Sequence, residues 1–440
     1  MRVIGSVLNL RAGVGLEAER QPLQHTSALG WFTQSPASAR RALLAASLGW
    51  MLDSFDVMLY SLVLPALMEG LQLTKSDAGV LGSVTLLAAA VGGLVFGVVG
   101  DRRGRTVALR WSIVIYAVFT AACGTAQNMA QLLVFRVLLG FGMGGEWASG
   151  ATLVSETWPT RDRGKALGLM QSSWAVGYAL AAFTAAVVLP IGGWRSVFLV
   201  GVLPAFLTIW IRRNVKEPEA WQRIQHGRRH VLSGFAELFC GRLAKLTTAI
   251  TLMNACTLFA WWGFNLWVPA YLSLSRTQGG VGLSSHTMTI LVVVMQVGMW
   301  LGYISFGIAS DIWGRKRSYI LYLTAAACAL TAYSLTRSTT ILLLLGPVVA
   351  FFGTGHFTGL GTVTSEIYEN RIRATAQGFT YNVGRVASAA APFTVGSWAQ
   401  MHGFGAAFRL AALSFAVAAA LWIFIPETKP KHYVQDSDVS

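Results

Sequence analysis

Charge is what this chain of 440 residues has least of: 12% of them are Asp, Glu, Lys or Arg, against roughly 25% in soluble domains. So little charge over such a length excludes a water-soluble globular protein. Cysteine is scarce too. Cys123, Cys240, Cys256 and Cys328 are the only four and show no paired spacing, which excludes a disulfide frame and a thiolate metal site. Glycine and proline follow no strict period, which excludes a collagen-like fibre, and a hydrophobic content of 54% excludes intrinsic disorder. Acidic residues number 19 against 34 basic ones, a net charge of +15. Such an excess ordinarily suggests nucleic acid, but here it competes with membrane topology.

What the chain has in quantity is long apolar runs. Twelve of them lie near 42–67, 79–100, 108–127, 131–154, 167–190, 195–211, 246–272, 288–309, 319–336, 340–365, 374–400 and 405–425. Each is about the length that crosses a ~30 Å hydrocarbon core as a helix. The predicted fold is an all-α membrane protein of twelve transmembrane helices in two pseudo-symmetric six-helix bundles. Residues 1–41 read as a polar N-terminal tail rather than a signal peptide. They are followed by a six-helix bundle (42–211), a linker (212–245), a second bundle (246–425) and a short tail (426–440).

Cytoplasmic loops keep the excess of Lys and Arg. With the N-terminal tail placed inside, 27 of the 34 basic residues fall on that side and four (Lys75, Arg195, Arg276, Arg337) on the other. Both termini are therefore expected in the cytoplasm. The basic excess encodes orientation, and no nucleic-acid partner is implied.

The halves repeat. At an offset of 210 residues, Gly97-Val-Val-Gly-Asp101-Arg-Arg-Gly104-Arg105 matches Gly307-Ile-Ala-Ser-Asp311-Ile-Trp-Gly314-Arg315. Ser155-Glu156 and Arg161-x-Arg163 fall on Ser365-Glu366 and Arg371-x-Arg373, and Gly145-Glu146 falls on Gly355-His356. Transporters are commonly built from such duplicated units with the site between them.

These segments, with Arg136-Val-Leu-Leu-Gly140-Phe-Gly-Met-Gly144 on span 4 and Pro426-Glu427-Thr428-Lys429 after span 12, resemble the signature motifs of the major facilitator superfamily. The resemblance covers about residues 40–430. Within it, Asp53-Ser-Phe-Asp56 resembles an element of aromatic-acid/proton symporters, with Ser54 where Gly is usual. Glu146-Trp147 with Ser155-Glu156 resembles metabolite, monocarboxylate and sialate proton symporters. The span-5 signature of antiporters is missing. The resemblance implies that Asp101 and Asp311 each reach a helix N-terminus in the opposite half. Arg105 with Glu156 and Arg315 with Glu366 would complete these latches, which open and close as the halves rock.

A charge at mid-membrane costs at least ~2.5–3.5 kcal/mol, so each one left inside a span is a candidate. Asp53 and Asp56 lie about 16 and 21 Å into span 1 at 1.5 Å per residue, and Arg136 about 8 Å into span 4 from the other side. By the same resemblance Asp56 pairs with Arg136 and serves as main proton carrier, with Asp53 assisting. Glu146 and its counterpart His356 are candidates for a second relay. Arg385, about 17 Å into span 11, has no acidic residue in 374–425 to neutralise it and is expected to hold a substrate carboxylate, supported by Asn382 and Tyr381. Pairing with Asp53 is the alternative.

Gln171, Trp174 and Tyr178, Trp262 and Asn265, and Gln296 offer flat faces and amides suited to a small organic acid. The expected function is proton-coupled symport of a small organic anion, carboxylate or aromatic acid, by alternating access in a bacterial inner membrane. A neutral sugar or polyol carrier is the alternative. No enzyme constellation, metal site or cofactor is implied, and one chain holds a whole pathway, so a monomer suffices.

Overall fold

The structure, a computed structural model, describes residues 30–158, 162–206, 210, 214, 237–369 and 372–428. Among them helices form every regular element, because hydrocarbon offers no partner for backbone N–H and C=O groups. Span 1 is Ala37–Gly70, span 2 Lys75–Arg103, span 3 Arg105–Cys123 and span 4 Met129–Thr157. Spans 5 and 6 share the helix Arg163–Val200, which turns at Gly193 (φ 67°), a left-handed geometry that glycine adopts without strain. Span 7 runs Gly241–Asn265 and continues as Val268–Ser273, while spans 8 and 9 are Ser285–Trp313 and Arg315–Leu335. Span 10 combines Thr339–Gly355, one tighter turn His356–Gly359 and Leu360–Ile367. Span 11 combines Arg373–Ser388 and Ala391–His402, and span 12 is Phe404–Leu421.

Ten of these helices are long and apolar enough to cross a membrane. Span 6 escapes separate recognition because its helix is continuous with span 5, and span 11 because it breaks after Ser388 and carries Arg385. With both included, the fold is the expected twelve-helix, two-half arrangement. Most of the 212–245 linker, residues 1–29 and the tail from 429 lie outside the described residues.

Packing repeats with the sequence. Spans 2 and 4, 1 and 5, and 3 and 4 pack together, as do their counterparts 8 and 10, 7 and 11, and 9 and 10. The halves meet along spans 5 and 8 and along spans 2 and 11, again exchanged by the repeat. Gly104 (φ 116°) and Gly314 (φ 96°), 210 residues apart, make the same sharp turn between consecutive spans. A side chain at Gly92 would collide with the carbonyl of Phe141, and one at Gly302 with the carbonyl of Phe351. Both partners are repeat-related. Close backbone approach through small residues holds membrane helices together, since lipid and side chain are equally apolar.

The end of the bundle away from the basic loops is shut. There Lys75 Nζ donates to the Gln278 carbonyl at 2.6 Å, Ser76 N to Gln400 Oε1 at 3.2 Å, and Phe393 N to Ser83 Oγ at 3.1 Å. Ser61 Oγ donates to the Leu266 carbonyl at 2.6 Å. All four bonds join one half to the other.

Replacing Gly92 or Gly302 by Val is expected to cost about 1–3 kcal/mol of packing, read as a lower melting temperature of detergent-purified protein. Gly97→Ala and Gly307→Ala, where an added methyl meets nothing within 4 Å, are expected to leave it unchanged.

Candidate functional site

The middle of span 1 is buried on all sides, and its two aspartates with it. Asp53 and Asp56 are 0% and 1% exposed, and none of their four oxygens has a hydrogen-bond partner. Span 1 sits this deep because it packs closely on span 5: a side chain at Gly177 would strike the carbonyl of Met51, and Ser54 Oγ donates to the Trp174 carbonyl at 2.8 Å. Ser54, found where the resemblance leads one to expect Gly, thus ties span 1 to span 5.

A third carboxyl joins them from span 4. Glu146 is fully buried with both oxygens unpartnered, and it occupies the space that a side chain on Gly49 would fill. Gly49 lies one helical turn before Asp53, so Glu146 and Asp53 are electrostatic neighbours. From the other half, Arg385 on span 11 is an electrostatic neighbour of Asp53. It is 4% exposed and makes no hydrogen bond or ion pair within 4 Å among the described residues. Arg385 is thus an electrostatic neighbour of Asp53 with no ion pair to it among the described residues.

The expected Asp56–Arg136 ion pair is not formed. Arg136 lies over the ring of Tyr60, 4.0 Å from its centroid, with Nε and Nη1 unpartnered. Tyr60 is one turn beyond Asp56 on the same face, so its ring takes the guanidinium before the carboxylate is reached. A desolvated cation–π contact of this kind contributes about 2 kcal/mol. Asp56 instead faces Thr120 on span 3.

His356 also departs from expectation. The repeat maps it onto Glu146, but it is enclosed within its own half, its ring centroid 4.3 Å from that of Phe357, 6.2 Å from Phe415 and 6.3 Å from Tyr319. No described hydrogen bond or ion pair links it to Glu146. The 3₁₀ turn that begins at His356 has no counterpart in span 4, which stays α-helical through Glu146.

Aromatic rings complete the group. Trp50 and Trp174 are 4.6 Å apart, and Trp262 of the second half meets Trp174 edge-on at 5.9 Å. The indole N–H groups of Trp50 and Trp174 are buried without acceptors. Trp50 was not singled out from sequence, yet it precedes Asp53 by three residues and Ser54 by four, a spacing that puts it on their face. Asn254 was likewise missed. It is 1% exposed with Oδ1 unpartnered, and it packs against Gly384 beside Arg385.

The remaining candidates divide. Tyr381 shares the neighbourhood of Arg385 and Asp53. Asn382 does not support Arg385: its amide donates to the Gly378 carbonyl at 2.9 Å and its other end faces Gly93 on span 2. Tyr178 is buried beside Ser61, and Gln171 is half-buried. The Asn265 side-chain amide makes a weak contact to Met58 Sδ at 3.4 Å, and the Asn265 backbone carbonyl accepts from Ser61 Oγ at 3.5 Å. Gln296 donates to the Val292 carbonyl at 3.0 Å and leaves Oε1 unpartnered.

At the basic end, Arg315 binds Glu366 at 3.1 Å and also contacts Asp311. Asp311 does not reach span 5. Its side chain is 72% exposed and stays on Arg315, the first residue of span 9 across the Gly314 turn. Glu427 adds a contact not foreseen, accepting from the backbone N–H of Arg315 at 2.8 Å and of Lys316 at 3.2 Å, while Thr428 Oγ1 donates to Glu366. The carboxylate thereby caps the unpaired N–H groups that begin span 9. The side chains of Asp101 and Arg105 lie outside those described; Glu156 is half-buried at the end of span 4.

Twelve spans in two repeated halves, with ionisable groups gathered between them, define a membrane transporter rather than an enzyme. The chain belongs to the Major Facilitator Superfamily, whose profile matches residues 46–280 and 273–438. It is 34% identical over 401 residues to a Haemophilus influenzae protein named for metabolite transport, covering 89% of this chain and 97% of that one. It is also 34% identical over 409 residues to a Cupriavidus pinatubonensis protein named for 4-methylmuconolactone transport (91% and 93%), and 31% identical over 421 residues to the niacin transporter of Acinetobacter baylyi (88% and 94%). Among solved structures, the Escherichia coli xylose transporter in a partially occluded inward-open conformation superposes with a TM-score of 0.72 at 18% identity, covering 90% of this chain and all of that one.

Glu427→Ala is expected to cost about 1–2 kcal/mol by uncapping span 9, measured as a fall in the melting temperature of the purified protein. Glu427→Gln, which keeps one acceptor, is expected to recover part of the loss.

Proposed function

We propose that the protein is a proton-coupled carrier that imports a small organic anion, a carboxylate with a planar or aromatic body, across a bacterial inner membrane. The observation that carries this reading is Arg385, a buried guanidinium at the interface of the halves that makes no hydrogen bond or ion pair among the described residues. A guanidinium binds carboxylate with two parallel hydrogen bonds, and one held without a partner in a low-dielectric site attracts an anion. Trp50, Trp174 and Trp262 supply flat walls for the rest of the molecule.

Asp53, Asp56 and Glu146 supply the proton sites. Three ionised carboxylates side by side without hydrogen bonds would be prohibitively costly to bury, so protons must occupy some of them. Asp53, the electrostatic neighbour of Arg385, and Glu146, the neighbour of Asp53, take the leading role that the sequence assigned to Asp56. The relatives named for niacin and 4-methylmuconolactone transport favour the acid reading over the neutral sugar. The placement of 27 of the 34 basic residues on one side supports cytoplasmic termini. The bonds among Arg315, Asp311, Glu366 and Glu427 act as the gating cluster of the second half, with Asp101, Arg105 and Glu156 in that role in the first.

The test is uptake into proteoliposomes of nicotinate, benzoate, a muconate and xylose, with and without an inward proton gradient. Gradient-driven accumulation of at least one acid is expected. Arg385→Ala is expected to abolish it, and Arg385→Lys to reduce it about tenfold, the loss of one charge-assisted hydrogen bond. Uptake of xylose alone, or acid uptake indifferent to Arg385→Ala, would overturn the reading.

A further inference from the structure

A tryptophan buried for packing alone finds an acceptor for its indole N–H, because a desolvated donor left unpaired is costly. Trp158 and Trp267 follow that rule, donating to the carbonyls of Ala39 at 2.9 Å and Pro392 at 3.0 Å. Trp50 and Trp174 break it together. They are 8% and 4% exposed, their rings lie 4.6 Å apart, and neither N–H has an acceptor among the described residues. Glu146, seated against the neighbouring Gly49, has both oxygens unpartnered and accepts from neither indole. Trp422 also leaves its N–H unpartnered, but it is stacked at 4.3 Å on Tyr319 of its own half. The Trp50–Trp174 pair instead stands where the halves meet, since Trp262 of the second half closes on Trp174 edge-on at 5.9 Å.

The fold does not call for these two rings. At the 210-residue offset Trp50 falls on Ala260 and Trp174 on Gly384, so spans 7 and 11 form the equivalent helix pair without them. Arg385 in turn falls on Ala175. The first half brings two neutral donors, the second brings a cation, and neither feature is duplicated. That asymmetry fits a ligand with two unlike polar ends. Gly384, next to Arg385, packs against Asn254 and Ala255, and Trp262 lies eight residues beyond Asn254, or about 12 Å along span 7. An acid whose carboxylate is on Arg385 therefore presents its far end to the tryptophans.

We propose that Trp50 and Trp174 are specificity-determining residues, whose indole N–H groups donate to a second hydrogen-bond acceptor at the end of the substrate opposite its carboxylate. The class they select is an organic acid bearing a ring nitrogen, a carbonyl or a second carboxylate at that end. An acid of the same shape with only C–H groups there leaves both donors unpaired in the loaded site, and binds less well for that reason.

The proposal rests on the organic-anion reading of Arg385 and is tested apart from it. Full-length protein in nanodiscs is titrated calorimetrically at neutral pH with benzoate, nicotinate, isonicotinate and 4-formylbenzoate. The first three share a carboxylate and one ring size and differ in a ring C–H or nitrogen, while the fourth adds a carbonyl. At least one of the three acids with a second acceptor is expected to bind about tenfold tighter than benzoate, the worth of one hydrogen bond to an otherwise unpaired donor. Placing benzothienylalanine at Trp50 or at Trp174 keeps the fused rings and puts sulfur in place of the N–H. Each replacement is expected to reduce that preference, and the double variant Trp50→Phe/Trp174→Phe to abolish it, with benzoate affinity unchanged. A packing role alone would move all four acids together.

Benzoate binding as tightly as the other three overturns the proposal and leaves the anion carrier standing. So does a preference that survives benzothienylalanine at both positions. If the phenylalanine variant does not fold, the isosteric replacements decide. Failure of these four acids and of a muconate all to bind overturns the proposed function, and this proposal with it.

Discussion

The dominant constraint on this molecule is the cost of enclosing charge where no water can reach it. The apolar spans satisfy their own backbones and hold together by close approach at residues such as Gly92 and Gly302. That scaffold would be complete without a single ionisable side chain inside it. Asp53, Asp56, Glu146 and Arg385 are retained in spite of a penalty of several kcal/mol per isolated ion. Two of them, Asp53 and Arg385, come from opposite halves. A group assembled from both halves changes when the halves move, whereas one lodged in a single half would not.

His356 and Arg136 illustrate the difference. Each is buried and ionisable, and each is settled within its own half, His356 among aromatic rings and Arg136 on the face of Tyr60. These contacts depend little on how the halves are disposed. The contacts that do depend on it are the seal at the end away from the basic loops, formed by Lys75, Ser76, Ser83 and Ser61 with the second half. Ser61 lies eight residues beyond Asp53, or about 12 Å along the helix, so the seal stands roughly two turns from the charged group and shuts it off from that side.

The fold was legible in the sequence because hydrocarbon thickness sets a length that apolar runs must meet, and because duplication writes each half twice. The 210-residue offset carried through to atomic detail: Gly104 and Gly314 make one turn, and Gly92 and Gly302 one packing contact. The same symmetry misled where side chains diverged, since equal positions in the repeat gave Glu146 a place beside span 1 and His356 an aromatic enclosure. The site was legible in which residues are buried, less so in which of them meet. Depth along a span follows from counting residues, but facing depends on rotation about the helix axis, to which a residue count is blind. Asp56 and Arg136 matched in depth, and Tyr60, at a spacing visible in the sequence, stood between them. Trp50 could have been found by the same i, i+3 and i, i+4 reasoning applied outward from Asp53 and Ser54.

A consequence follows for the roles of the two halves. The first contributes the acids and, through Trp50 and Trp174, most of the aromatic wall; the second contributes the cation, Asn254 and Trp262. The proposed proton sites and the proposed anion site thus lie on opposite sides of the surface along which the halves meet. A ligand that must touch both sides favours arrangements in which they come together, whereas a proton on Asp53 alone touches only one. The division also explains why Glu146 reaches its place only through Gly49: a side chain there would occupy the space of the second acid and leave span 1 with its aspartates but without their neighbour.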